Sequence, residues 1–178
     1  NAVVSTAVTN LVTEVSTLYS AGARDFFISL LPDLGTTFYG TSGAIPPSVL
    51  SGVSTSFNNA LTAQMNALEA SSAGMNLSIY NTPAMLTIVR NELSVFGGNV
   101  TDRCWTGDYA GGGTSTPVCS NPDQYYLFDK VHPTALVHLA VGKDMAATVA
   151  AVPEPLTSGL MMVGLVFTGL AVRRNRAA

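Results

Sequence analysis

The sequence predicts an α/β domain built around a parallel sheet, on three observations. Apolar residues recur every three or four positions in four long stretches, short runs rich in Phe, Ile and Leu lie between the first three, and Gly or Pro marks the joints. Helix, strand, helix, strand, helix, helix is an order that places parallel strands side by side through helical crossovers.

Val4, Val8, Leu11, Val12, Val15, Leu18 and Tyr19 make residues 2–21 an amphipathic helix stopped by Gly22. Arg24-Asp25-Phe26-Phe27-Ile28-Ser29-Leu30-Leu31 follows as a buried strand ended by Pro32. Beyond a Gly/Pro/Thr loop, Val49, Val53, Phe57, Ala60, Leu61, Met65 and Leu68 form a second helix that ends near Gly74, and Leu77-Ser78-Ile79-Tyr80 is a second strand. Residues 85–96 are a third helix stopped by Gly97-Gly98, and residues 134–150 a last helix behind Pro133, a residue suited to a first helical turn. Two strands do not make a stable parallel sheet, so further strands N-terminal to Asn1 are expected. The opening residue is not a methionine, and no apolar signal core precedes the first helix.

The 178 residues leave room for one domain core, assigned to residues 1–150, with a separate tail over 151–178. Charged residues are 11% of the chain, against about 25% in ordinary domains. Ahead of the tail stand five basic and ten acidic residues with no basic cluster, which argues against nucleic acid as a partner. Cys104 and Cys119 flank a Gly-, Thr- and Pro-rich loop. A disulfide closing it is worth about 3 kcal/mol in the chain-entropy model, and two free buried thiols are the alternative. One Cys pair with no neighbouring ligands does not make a metal site.

In the tail, Val152-Pro153-Glu154-Pro155 separates the body from the uncharged segment LTSGLMMVGLVFTGLAV (residues 156–172), which Arg173, Arg174 and Arg176 follow. Seventeen residues are the lower limit for a transmembrane helix, and the basic flank favours the cytoplasmic side. Pro153, Glu154 and Pro155, the apolar segment and the Arg cluster, in that order, resemble the PEP-CTERM sorting signal of Gram-negative bacteria. That resemblance implies an exosortase as partner, a stay at the inner membrane during sorting, and a final periplasmic, cell-surface or extracellular location. A plain one-pass anchor with a proline spacer is the alternative.

Chemistry concentrates at Tyr126-Leu127-Phe128-Asp129-Lys130-Val131-His132-Pro133-Thr134. An aspartate three residues before a histidine can orient the imidazole so that its other nitrogen accepts a proton from a nucleophile. Either residue could instead cap the following helix. The Asp-x-x-His-Pro-Thr block, preceded by Cys119-Ser-Asn-Pro-Asp-Gln124, resembles the last block of SGNH hydrolases of the GDSL lipase/esterase type. Ala21-Gly22-Ala23-Arg24, leading to Leu30-Leu31-Pro32-Asp33-Leu34-Gly35-Thr36-Thr37, is similar to the segment after that family's third block. The resemblance implies a three-layer, flavodoxin-like parallel-sheet hydrolase fold, here without its N-terminal strands and with one C-terminal transmembrane helix. It implies hydrolysis of carboxylic esters (lipids, short acyl esters or acylated polysaccharide) with no cofactor or metal, His132 as general base and Asp129 as its orienting acid.

The family's nucleophilic serine stands in a Gly-Asp-Ser motif, and an oxyanion-hole asparagine in Gly-x-Asn-Asp. Neither motif occurs here, so the chain alone is expected to be inactive. His138, six residues past His132, falls on another helical face, and Asp33 is read as fixing a loop. Trp105 either lines an acyl pocket or packs on the disulfide. Asn76 and Asn99 match the glycosylation pattern but carry no weight in the bacterium that the tail resemblance implies. The competing reading is a non-catalytic exported surface or biofilm-matrix protein.

Overall fold

The computed structural model describes residues 2–107 and 116–151. The chain divides into two compact units, Asn1–Ala146 and Ala147–Ala178. The described part of the second unit, residues 147–151, is the end of the last helix and the turn after it. The elements in order are α1 (Ala2–Ser20), β1 (Asp25–Ser29), α2 (Phe38–Thr41), α3 (Pro47–Ser71), β2 (Asn76–Tyr80), α4 (Thr82–Val95), β3 (Asn99–Arg103), β4 (Tyr125–Leu127) and α5 (Ala135–Ala150).

The four long helices and the first two strands lie where the apolar spacing places them, with ends set by local chemistry, whereas α2 falls in a stretch read as loop. Gly22 turns α1 into β1 at φ 109°, a conformation that favours glycine. Asn81 starts α4 by accepting a hydrogen bond from Ala84 N–H at 3.1 Å, with Pro83 in the first turn.

β1 and β2 pair in parallel, from Asp25 opposite Asn76 to Ser29 opposite Tyr80. Because strand side chains alternate, the pair serves two cores. Phe26, Ile28, Leu30, Leu77 and Ile79 pack with Val8 and Val15 of α1 and Leu61 and Met65 of α3. Phe27 and Tyr80 turn the other way, towards Leu86 and Val89 of α4, Tyr126 and Leu127 of β4, and Val137 and Val141 of α5. The Tyr80 hydroxyl donates to Asp144 Oδ2 at 2.7 Å, and burial followed by that carboxylate pushes its pKa up to about 12.

The expected three-layer, flavodoxin-like sheet is corrected by the structure. The described residues form two separate two-stranded parallel sheets, β1 with β2 and β3 with β4. β3 and β4 are absent from the sequence expectation because Asn-Val-Thr-Asp-Arg holds one apolar residue and three-residue β4 is too short to show alternation. β3 is also irregular: Asn99 faces Tyr125 and Arg103 faces Leu127, so four steps on one strand match two on the other. Asn99 Oδ1 accepts from the N–H groups of Thr101 (3.1 Å) and Asp102 (2.8 Å), which folds the strand upon itself. A strand bulged in this way does not propagate a regular ladder. No helix among the described residues is long and apolar enough to cross a membrane. Residues 156–172, where the spanning helix is expected, lie outside the described residues, as do Pro153, Glu154 and Pro155.

The chain leaves β1 under control of α3. Asn58 Oδ1 accepts from Leu31 N–H and Asn58 Nδ2 donates to the Leu31 carbonyl, both at 2.8 Å, so neither main-chain group is orphaned where the strand stops. The following loop is tightly folded: a Cβ on Gly40 would strike the Gly35 carbonyl, and one on Gly35 would strike the Ser51 hydroxyl. It reaches a part of the chain distant in sequence through Phe38 N–H, which donates to the Lys130 carbonyl at 3.1 Å.

Asn58→Ala strips both partners from Leu31 and is expected to lower unfolding free energy by about 1–3 kcal/mol, measured by urea titration. An unchanged midpoint would show that other groups meet the Leu31 backbone.

Candidate functional site

β4 delivers the chain into a closed turn over residues 128–134. Phe128 N–H donates to the His132 carbonyl at 2.8 Å, and Thr134 N–H to the Tyr126 carbonyl at 3.0 Å. The Thr134 hydroxyl donates to the Tyr125 carbonyl at 2.8 Å. Tyr126 and Leu127 are 3% and 1% exposed, so the entry to the turn is anchored in the core.

Within the turn, Asp129 Oδ1 accepts from Val131 N–H at 2.8 Å and His132 N–H at 2.7 Å. Oδ2 lies 2.7 Å from His132 Nδ1. The aspartate is buried, whereas the side chain of His132 is 58% exposed. Burial alone would push the Asp129 pKa up. The N–H groups of His132 and Val131, together with the imidazole, more than offset it and hold the carboxyl below its ordinary range.

This arrangement does not make Asp129 the cap of the following helix. The Asp129 oxygens go to the turn and to the imidazole, not to the first turn of α5. A carboxylate at hydrogen-bond distance from Nδ1 favours the imidazole tautomer with its proton on that nitrogen.

The remaining candidates fall around this pair or away from it. Cys104 and Cys119 form a disulfide with Cα atoms 5.0 Å apart. Trp105 stacks on Phe128, the residue before Asp129, at 6.1 Å between ring centroids. Asp33 fixes its loop, with Oδ1 accepting from Gly35 N–H at 2.8 Å and the Ser51 hydroxyl at 2.7 Å. His138 is exposed on α5, with Nδ1 3.1 Å from the Thr134 carbonyl. Among the described residues no cluster of three or more His, Cys, Asp or Glu is placed to hold a metal ion.

Sequence reasoning missed the clefts beside the turn. One of about 150 Å³ is walled by Leu31, Leu34, Leu86, Leu127, Val131 and Pro133. A second of about 270 Å³ shares Leu34, Thr37 and Val131 with it and adds Tyr39, Ile45 and Leu50. Their walls come from segments nearly a hundred positions apart in sequence, so no local pattern announces them.

A lowered folded-state pKa means that ionised Asp129 stabilises the fold above its unfolded value, and that this contribution is lost as pH falls through the folded value. Asp129→Asn is therefore expected to destabilise the chain at pH 7 by about 1–3 kcal/mol. The gap from the parent should narrow below the ordinary value near 3.8, read as urea midpoints across pH. A gap independent of pH would exclude the charge as its source.

No family model matches the chain. It is 31% identical over 155 residues to an uncharacterized protein in the trpE-trpG intergenic region of Pseudomonas putida. The match takes in 83% of this chain and 25% of the relative, so the chain spans about a quarter of the length of the protein it matches.

Proposed function

We propose that this chain carries the acid–base part of a serine ester hydrolase, with His132 as general base and acid and Asp129 as its orienting carboxylate. The observation that carries the reading is the 2.7 Å contact between buried Asp129 and the exposed His132 ring, made through Nδ1. The resemblance of this block to the SGNH hydrolases supports it. The apolar clefts beside Val131 and Pro133 offer room for an acyl group. The disulfide favours an oxidising compartment and so an exported protein, in keeping with the sorting-signal resemblance at Pro153, Glu154 and Pro155.

No Gly-Asp-Ser stands in these 178 residues, so the reaction needs a serine from sequence N-terminal to Asn1. His132 Nε2 takes the serine proton as the oxygen attacks the ester carbonyl, then returns it to the departing alkoxide. Water, deprotonated by the same imidazole, attacks the acyl-enzyme, and the imidazolium returns the proton to the departing serine oxygen as the acid is released. Asp129 stabilises the imidazolium at both stages.

Hydrolysis of p-nitrophenyl acetate and butyrate tests the reading, with the chain assayed alone and joined to the sequence encoded upstream of it. Activity is expected in the joined form alone, with His132→Ala lowering kcat by on the order of 10³-fold or more. A folded, inactive joined form would overturn the hydrolase reading in favour of a non-catalytic surface or matrix protein.

A further inference from the structure

We propose that Trp105, held by the Cys104–Cys119 disulfide, is a positioning residue for His132, acting through Phe128. The inference deepens the reading of the Asp129–His132 site, but its geometric basis does not depend on what the site acts on.

Phe128 is the point of leverage. Its N–H donates to the His132 carbonyl at 2.8 Å, closing the turn, and its carbonyl accepts from Trp105 N–H at 2.6 Å. Its ring stacks on the Trp105 indole. Asp129 is the next residue, so movement of Phe128 displaces the carboxylate at one end of the turn and the histidine backbone at the other. The Phe128 to His132 bond is the innermost main-chain tie across the turn, inside that of Thr134 N–H to the Tyr126 carbonyl.

Trp105 is fixed from its other side. The indole Nε1–H donates to the Thr116 carbonyl at 2.9 Å, and Trp105 bridges Val118 in antiparallel fashion. A Cβ on Gly107 would strike the indole, so that position leaves room for the ring and no more. Thr116 and Val118 are held to this side by the bond from Cys104 to Cys119 and by Cys119 N–H, which donates to the Cys104 carbonyl at 3.1 Å. Cys104 N–H in turn donates to the Leu127 carbonyl at 3.0 Å. The disulfide thus holds the segment that bonds the edge of the Trp105 indole, while that indole stacks on the residue before the acid.

The physical consequence is a tautomer. Neutral imidazole in water favours the proton on Nε2, whereas the Asp129 contact demands it on Nδ1, so loosening the turn returns the ring towards the Nε2–H form. The chain has two histidines, which makes nitrogen NMR of the ring a direct reading at a pH where both are neutral. We expect the Nδ1–H form to dominate at His132 in the oxidised parent and in Trp105→Phe, which keeps a stacking ring. Trp105→Ala and the paired Cys104→Ser, Cys119→Ser variant should shift it to a mixture or to Nε2–H, with His138 unchanged. Should Trp105→Ala fail to fold, Phe128→Leu and reduction of the parent disulfide under conditions that keep its far-UV circular dichroism give the same comparison.

An unchanged His132 tautomer in folded variants, even with a lowered Tm, would overturn the inference and reduce the disulfide to a stabilising staple. In the joined, active form kcat should fall on the order of ten- to a hundredfold in Trp105→Ala with KM unchanged, the mark of a misplaced base. The NMR reading needs no serine, so an inactive joined form would sink the hydrolase reading and leave this one standing. The reverse outcome, esterase activity with an unmoved tautomer, separates them in the other direction.

Discussion

A buried carboxylate is costly unless each oxygen is met, and at Asp129 the meeting is divided. One oxygen takes two main-chain N–H groups of its own turn, and the other takes the imidazole. The first half sets the shape of residues 129–132, and the second sets the orientation of the only side chain there that stands largely in solvent. Because the same carboxylate performs both tasks, turn geometry and imidazole orientation are not independent. The rest of the molecule holds the frame in which this division can occur.

That frame comes from three distant parts of the chain. β4 and α5 bury Tyr126, Leu127 and Val137 on either side of the turn and so place both of its ends in one core. The loop after β1, tightened by Asn58, Asp33 and the close approach of Gly35 to Gly40, supplies Phe38 N–H to the Lys130 carbonyl. Arg103 lies 4.0 Å above the Phe38 ring, which links β3 to the same corner. Val131 and Pro133 then face the clefts from inside the turn, so the packing that supports His132 also shapes the space beside it.

The two cores explain why the first pair of strands could be read from the sequence and the second could not. Phe26 and Ile28 on one face of β1 and Phe27 on the other make a continuous apolar run, the mark of a strand covered on both sides. β3 carries Thr101 and Asp102 exposed and curls around Asn99, so its signal reads as a loop. The expectation of one large three-layer sheet extended a correct reading of β1 and β2 to a single ladder that the described residues do not form.

By itself the sequence determined the elements with strong periodicity, namely the four long helices and the strands β1 and β2, because burying an apolar stripe or run is a local pattern with a fixed period. It also pointed to Asp129 and His132, since three residues of separation across a turn suffice to bring a carboxylate to an imidazole. Tertiary structure alone decided that Asp129 caps its own turn rather than α5, that Trp105 lies against Phe128, and that β3 pairs with β4. Each of these depends on which groups remain unsatisfied once distant segments have packed. Hydrogen bonds and ring contacts over that range obey no sequence period.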